Sequence, residues 1–105
     1  MRGLVELAYR IEYARATEDH LRALTAHQRA IVVDAIRRQL THQPVVETRN
    51  RKPMRPNPLA PWELRIGEAR VYYQVQDNPE RIVQVLAVGT KRRDQVWIGG
   101  RVVEL

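Results

Sequence analysis

The chain contains no cysteine and no serine. The first absence removes any disulfide framework and any thiolate zinc site. The second removes a serine nucleophile. No apolar run approaches the roughly 20 residues needed to span a bilayer. From Met1 to Ala8 the apolar content after Gly3 is Leu4, Val5, Leu7 and Ala8, short of the roughly 7–15 residues of a signal-peptide core. A soluble, cytoplasmic protein with no membrane partner is the expectation. His20, His27 and His42 have neither ligand spacing nor a local acid cluster, so no metal site is expected. The glycine patterns G-x-x-x-x-G-K-S/T and G-x-G-x-x-G are missing, and no cofactor is expected. Acids are also in short supply, with 12 Asp and Glu against 18 Lys and Arg, leaving a net charge of +6. Such a surplus favours a polyanion or an acidic protein partner.

What remains is 105 residues, 44% of them apolar, enough for one domain over residues 1–105 with one core. Its organising stretch is Trp62 to Val75, W-E-L-R-I-G-E-A-R-V-Y-Y-Q-V. A Gly-X pair suits a type II′ turn, so Gly67-Glu68 forms the tip of a β-hairpin. Ile66 then faces Ala69, Arg65 faces Arg70, Leu64 faces Val71, Glu63 faces Tyr72 and Trp62 faces Tyr73. Trp62, Leu64, Ile66, Val71, Tyr73 and Val75 share one face; Glu63, Arg65, Arg70, Tyr72 and Gln74 share the other. Two arginines directly opposite each other repel. Two readings fit: a solvated outer face on which long side chains splay apart, or a site for an anion.

Along the chain, the residues before Tyr9 read as a loose arm or an alternative start. Tyr9 to Tyr13 alternates as a half-buried strand does, with Tyr9, Ile11 and Tyr13 toward the core. Thr17 is placed as an N-cap, with Glu18 and Asp19 in the first turn of a short helix that buries Leu21 and Leu24. Thr25 and Gln28 have capping-box spacing. They open a second helix to about Leu40 with Val32, Val33, Ile36 and Leu40 inward; Arg29, Arg37 and Arg38 read as its solvated side. From Gln43 to Pro61 five prolines exclude a regular element. Within it, Arg49 to Arg55 holds four basic residues in seven, either a linker kept soluble by charge or an arm on which Arg51, Lys52 and Arg55 track phosphates. After a turn at Asp77 to Glu80, Arg81 to Val88 is apolar enough for a central strand. Gly89 is read as its end, followed by a basic loop from Thr90 to Asp94. Gly99-Gly100 predicts a terminal hairpin. The fold class is α+β: a small antiparallel sheet, elements in the order β-α-α-β-β-β plus a C-terminal hairpin, with a helix pair packed on one face.

The chemistry left to this set is guanidinium groups, a lysine and aromatics, which suits RNA: arginine grips phosphate and a ring stacks on an unpaired base. RNA also brings its own nucleophile, the 2′-OH. A surface that binds RNA without chemistry reads the same way.

The element order, with W-E-L-R-I-G-E-A-R-V-Y-Y-Q-V followed by V-L-A-V-G-T-K-R-R, resembles the RelE/ParE superfamily of bacterial type II toxins, RelE-like branch, from about Tyr9 to Trp97. The segment N-R-K-P-M-R-P-N-P-L-A-P-W-E-L-R-I-G is especially similar. The resemblance implies a metal-free endoribonuclease that cuts messenger RNA in the ribosomal A site and inhibits translation. It implies an acidic antitoxin that wraps the toxin, and operator DNA bound only together with that antitoxin. It assigns Arg70, Arg65 and Lys91 to the scissile phosphate and its neighbours, with Arg92 adjacent; Arg93, Tyr72 and Trp97 complete the expected RNA contacts. Two positions depart from the family pattern. Glu63 stands where a second lysine is common, and is either a general base or an ion-pair partner of Arg65 or Arg10. Trp97 stands where a tyrosine is common, and an indole cannot give up a proton as a phenol does. The competing readings are a ParE-like inhibitor of DNA gyrase that binds without catalysis, and a basic protein that only binds a partner.

Overall fold

The computed structural model describes residues 8–105. The expectations for the arm before Tyr9 and for a signal segment therefore fall outside the described residues, apart from Ala8. In chain order the elements are β1 (Arg10–Tyr13), α1 (Thr17–Arg22), α2 (Ala26–Leu40), β2 (Arg51–Pro53), β3 (Trp62–Ile66), β4 (Ala69–Gln76), β5 (Ile82–Arg92), β6 (Gln95–Ile98) and β7 (Arg101–Val103). The sheet runs β2-β3-β4-β5-β6-β7, with β1 added against β5. The fold is α+β, as the sequence predicts. Among the described residues no helix is long and apolar enough to cross a membrane.

The β3–β4 hairpin has the predicted register, Trp62 opposite Tyr73 through Ile66 opposite Ala69. Gly67 takes φ +57°, which the first turn position of a type II′ hairpin demands and glycine adopts without steric cost. The apolar face of the hairpin packs under α2: Leu64, Val71 and Tyr73 join Val32, Ile36 and Leu40, with Val83, Val85 and Val88 of β5. Trp62 stacks on Tyr73, ring centroids 6.1 Å apart. The Tyr73 hydroxyl is not left unpaired, donating to the Pro44 carbonyl at 2.6 Å. The N-terminus of α2 closes as expected: Gln28 N–H donates to Thr25 Oγ1 at 3.1 Å, and Thr25 N–H to Gln28 Oε1 at 3.0 Å.

Several expectations are corrected. The N-cap of α1 is Ala16; Thr17 is the first helical residue, buried, and its hydroxyl donates to the Ala14 carbonyl at 2.6 Å. Val33 and Tyr13 are exposed, because the helix stripe centres on Val32 and Ile36 and β1 ends where the core does. The proline segment contains a strand after all: β2 pairs antiparallel with β3, Lys52 opposite Glu63. It is an edge strand, where the amide that Pro53 lacks is not missed. Gly89 does not end β5, which runs on to Arg92. A Cβ on Gly89 would lie 2.4 Å from the Trp97 carbonyl oxygen and 2.7 Å from Ile98 Cγ1, so the glycine is there to let β6 approach. The basic loop shrinks to a turn at Arg93-Asp94. Finally, β1 lies parallel to β5, Arg10 opposite Ile82.

Tyr72 and Tyr73 are both fully buried, on opposite faces by strand alternation; a bulge that skips Leu86 sets Val85 beside Tyr73 and Ala87 beside Tyr72. Below the sheet Tyr72 joins Ala60, Ala87 and Ile98, flanked by Met54 and Leu59 of the proline segment and by Val96 and Val103 of the terminal hairpin. This second small core covers the middle of the face away from the helices and leaves its margins open.

Candidate functional site

Pairing register builds the site. Arg65 lies opposite Arg70, Arg70 opposite Gly89, Gly89 opposite Ile98, and Ile98 opposite Arg101. Partners in register share a face. One cross-strand row on the face away from the helices therefore carries Arg65, Arg70 and Arg101, with Gly89 as a gap. Lys91, two residues beyond Gly89, falls on the same face, and its backbone N–H ties β5 to the hairpin tip at the Glu68 carbonyl, 2.7 Å. Like charges on neighbouring strands are unfavourable unless something of opposite sign offsets them.

Part of that offset is internal. Arg65 Nε donates to Glu63 Oε1 at 2.7 Å, and the Glu63 side chain is only 11% exposed. Arg70 folds back over the turn, its Nη1 donating to the Gly67 and Ala69 carbonyls at 2.6 and 2.8 Å. Two shallow concavities meet at Glu63 and Arg65. One, about 640 Å³, is bordered by Lys52, Met54, Arg55 and Asn57. The other, about 460 Å³, is bordered by Lys91, Asp94, Val96 and Glu104. The trough is thus mixed in charge, with Glu63, Asp94 and Glu104 among its cations.

The charge balance differs elsewhere. On the helices and β1 most cations are paired locally: Arg22 with Glu18 and Asp19, Arg37 and Arg38 with Asp34, Arg10 with Glu12 and Glu80. The Arg38 and then the Arg37 guanidinium hold the Asp34 carboxyl below its ordinary range. Arg55, Lys91, Arg92, Arg93 and Arg101 form no salt bridge among the described residues. Four of these five belong to β5, β7 and the turn after β5; Arg29, Arg51 and Arg70 are instead held by backbone carbonyls.

Glu63, Arg65 and Arg70 share this face as expected from the sequence, and Lys91, expected in a loop beside it, joins them from β5. The other expected RNA contacts scatter. Tyr72 is fully buried, so its ring cannot stack on a base. Its hydroxyl lies near the Glu63 carboxylate without a hydrogen-bond partner. Burial, and then that carboxylate, push the phenol well above its ordinary range. Arg51 is turned inward, donating to the Val46 carbonyl, the Gln39 carbonyl and Gln39 Oε1. Arg92 and Trp97 alternate away from Lys91 and lie on the helix side. Arg93 occupies the β5–β6 turn with φ +57°. Lys52 stands beside Glu63 but reaches Glu47 at 3.6 Å, and Arg55 is exposed. Arg101 was missed by reading runs of basic residues; counting back through the Gly99-Gly100 turn, which sets Ile98 opposite Arg101, finds it.

A helix pair laid on one face of an antiparallel sheet, with arginines grouped on the other, is the arrangement expected of a RelE/ParE superfamily toxin. Residues 11–95 match the family described as the ParE toxin of type II toxin-antitoxin system, parDE. The chain belongs to that family and is a toxin of a type II toxin–antitoxin system. A solved chain of the toxin–antitoxin complex RelBE2 from Mycobacterium tuberculosis has a similar fold, with TM-score 0.69 and 24% identity over 80% of this chain and 99% of that chain. No curated protein matches.

Proposed function

We propose that the toxin acts on RNA through the Arg65–Arg70–Lys91 face and cuts messenger RNA on the ribosome. The observation that carries this reading is the cross-strand row itself: like charges from adjacent strands with one buried acid among them and neutral partners at Gly89 and Ile98. A phosphate supplies the missing negative charge, and arginine meets it with paired donors. In the reaction the 2′-oxygen attacks the adjacent phosphorus and the bond to the 5′-oxygen breaks, leaving a cyclic phosphate and a 5′-hydroxyl. Arg65, Arg70 and Lys91 stabilise the charge that builds on the phosphoryl oxygens. Donors of that kind are commonly worth about 3–4 kcal/mol each. Glu63 takes the 2′-proton, its position fixed by Arg65. The leaving 5′-oxygen takes its proton from solvent, because the Tyr72 phenol is buried and Trp97 lies across the sheet. Between cycles an acidic antitoxin covers this surface, and operator DNA is engaged only by the pair.

A second reading draws on the same pieces. Glu63 is engaged by Arg65 and no phenol reaches the trough, which favours a face that binds without proton transfer, as a ParE-like inhibitor of DNA gyrase does. Transcript mapping after induced expression separates the two. The RNA reading expects cuts within codons of translated messages, lost in Arg70→Ala, a variant whose thermal unfolding stays close to that of the natural chain. Intact transcripts alongside blocked DNA replication would overturn it in favour of gyrase.

A further inference from the structure

On the helix side of the sheet, behind Lys91, lies a pocket of about 200 Å³. Trp97 and Arg92 line it from β6 and β5, His20 from α1, and the Gly99-Gly100 turn closes it. Each part has a defined chemistry. The His20 Nδ1 accepts the Val88 backbone N–H at 3.3 Å, which leaves the ring proton on Nε2. That Nε2–H is a donor on the Gly99 side of the ring: a Cβ on Gly99 would stand 3.5 Å from Cδ2 and 4.0 Å from Nε2. Both are ordinary contact distances, and glycine is called for there by its φ of +59°. Trp97 is half-buried and lines the pocket, and Arg92 is exposed and forms no salt bridge among the described residues. The Val88 bond also explains why His20 is there. Between the end of β1 and the start of β6, that edge of β5 has no strand partner, and the imidazole takes up a donor the sheet leaves unused.

A flat ring, a neutral N–H donor and a free guanidinium on one small pocket select a planar heteroaromatic with acceptor edges and an attached anion. We propose that this pocket binds a single nucleotide, its base on Trp97, an acceptor of the base on His20 Nε2–H and its phosphate on Arg92. Stacking of a base on an aromatic side chain is tolerant of base identity, so the site favours nucleotides as a class. A pocket of this size accommodates one base and not a duplex. The site is separate from the trough, because Lys91 and Arg92 are consecutive and point to opposite faces of β5. It stands whether the toxin acts on RNA or on gyrase.

The chain has two tryptophans, so a nitrogen-15 spectrum of the intact toxin contains two indole N–H signals, and Trp97→Phe assigns them. Adenosine monophosphate and a short single-stranded oligoribonucleotide are titrated separately into the millimolar range. The expected result is a saturable shift of the Trp97 signal with Trp62, on the far side of the core, unmoved, and an affinity about tenfold weaker in Arg92→Gln. A shift with the free nucleotide assigns the pocket to mononucleotides; a shift with the oligomer alone assigns it to an unstacked base of single-stranded RNA. The proposal is overturned if neither ligand moves Trp97. It is equally overturned if inorganic phosphate gives the full shift, or if adenosine matches its monophosphate and Arg92→Gln changes nothing.

Discussion

Arg51 sits in a basic run that reads as either a linker or an RNA-tracking arm, yet its side chain is one of two buried charged groups among the described residues. Replacing it with alanine therefore tests stability and not RNA binding. Three hydrogen bonds are lost: Nε to the Val46 carbonyl at 2.9 Å, and Nη1 to the Gln39 carbonyl at 2.8 Å and to Gln39 Oε1 at 2.9 Å. Hydrogen bonds to a charged group contribute about 1.5–3 kcal/mol each. Those sharing one anchor do not add, so the expected loss for Arg51→Ala is about 3–4 kcal/mol. Domains of this size have only about 5–15 kcal/mol in total. At about 4–8 °C per kcal/mol, the melting midpoint should fall by about 12 °C or more. A urea titration should show the same loss as a midpoint lower by roughly 1–3 M with an unchanged slope. Arg55→Ala is the control: exposed and unpaired, it should change stability by less than about 0.5 kcal/mol. If Arg51→Ala melts within about 3 °C of the natural chain but loses RNA affinity, the argument from burial is wrong.

Three other outcomes follow from the same geometry. Tyr72→Phe removes a buried hydroxyl with no hydrogen-bond partner, so it should leave toxicity intact and be neutral or stabilising by about 1 kcal/mol in urea titration; a clear destabilisation would mean the hydroxyl bonds to Glu63. Gly89→Ala forces a methyl against the Trp97 carbonyl and Ile98, and overpacking of this kind costs about 1–3 kcal/mol; hydrogen exchange should show the loss first in β6 and β7. Burial lowers the pKa of His20, with Asp19 opposing. The unfolded chain therefore binds this proton at a higher pH than the folded one, and stability falls as pH drops below the ordinary histidine value, about 6.5. Midpoints measured from pH 7 to pH 5 should fall more steeply for the natural chain than for His20→Gln, and equal slopes would refute the assignment.

Local signals carried far in this sequence. Gly67 and strict alternation set the β3–β4 register residue by residue, Thr25 and Gln28 marked the start of α2, and Gly99-Gly100 marked the last turn. Each is decided within a few residues. What escaped was non-local. Nothing near Arg10 announces that it pairs with Ile82, and a glycine in a strand reads as a break until the Trp97 carbonyl is found against it. The same division holds at the candidate site. Alternation placed Glu63, Arg65, Arg70 and Tyr72 on one face correctly. It could not show that Ala60, Leu59 and Met54 fold back over Tyr72, or that Arg51 turns toward α2. Arg92 is grouped with Lys91 by adjacency and Trp97 by the family pattern, whereas one residue along a strand is enough to send a side chain to the opposite side.

The dependence of the whole sheet on β5 has a consequence for synthesis. β1 emerges from the ribosome long before β5, its strand partner, and the row from Arg65 to Arg101 needs β3 through β7 all in place. Contacts so distant in sequence form late and slowly. While its own message is being translated, the nascent chain therefore lacks its basic face. The face is complete only after β7, Arg101–Val103, has left the tunnel, and only then is there a folded toxin for an antitoxin to meet.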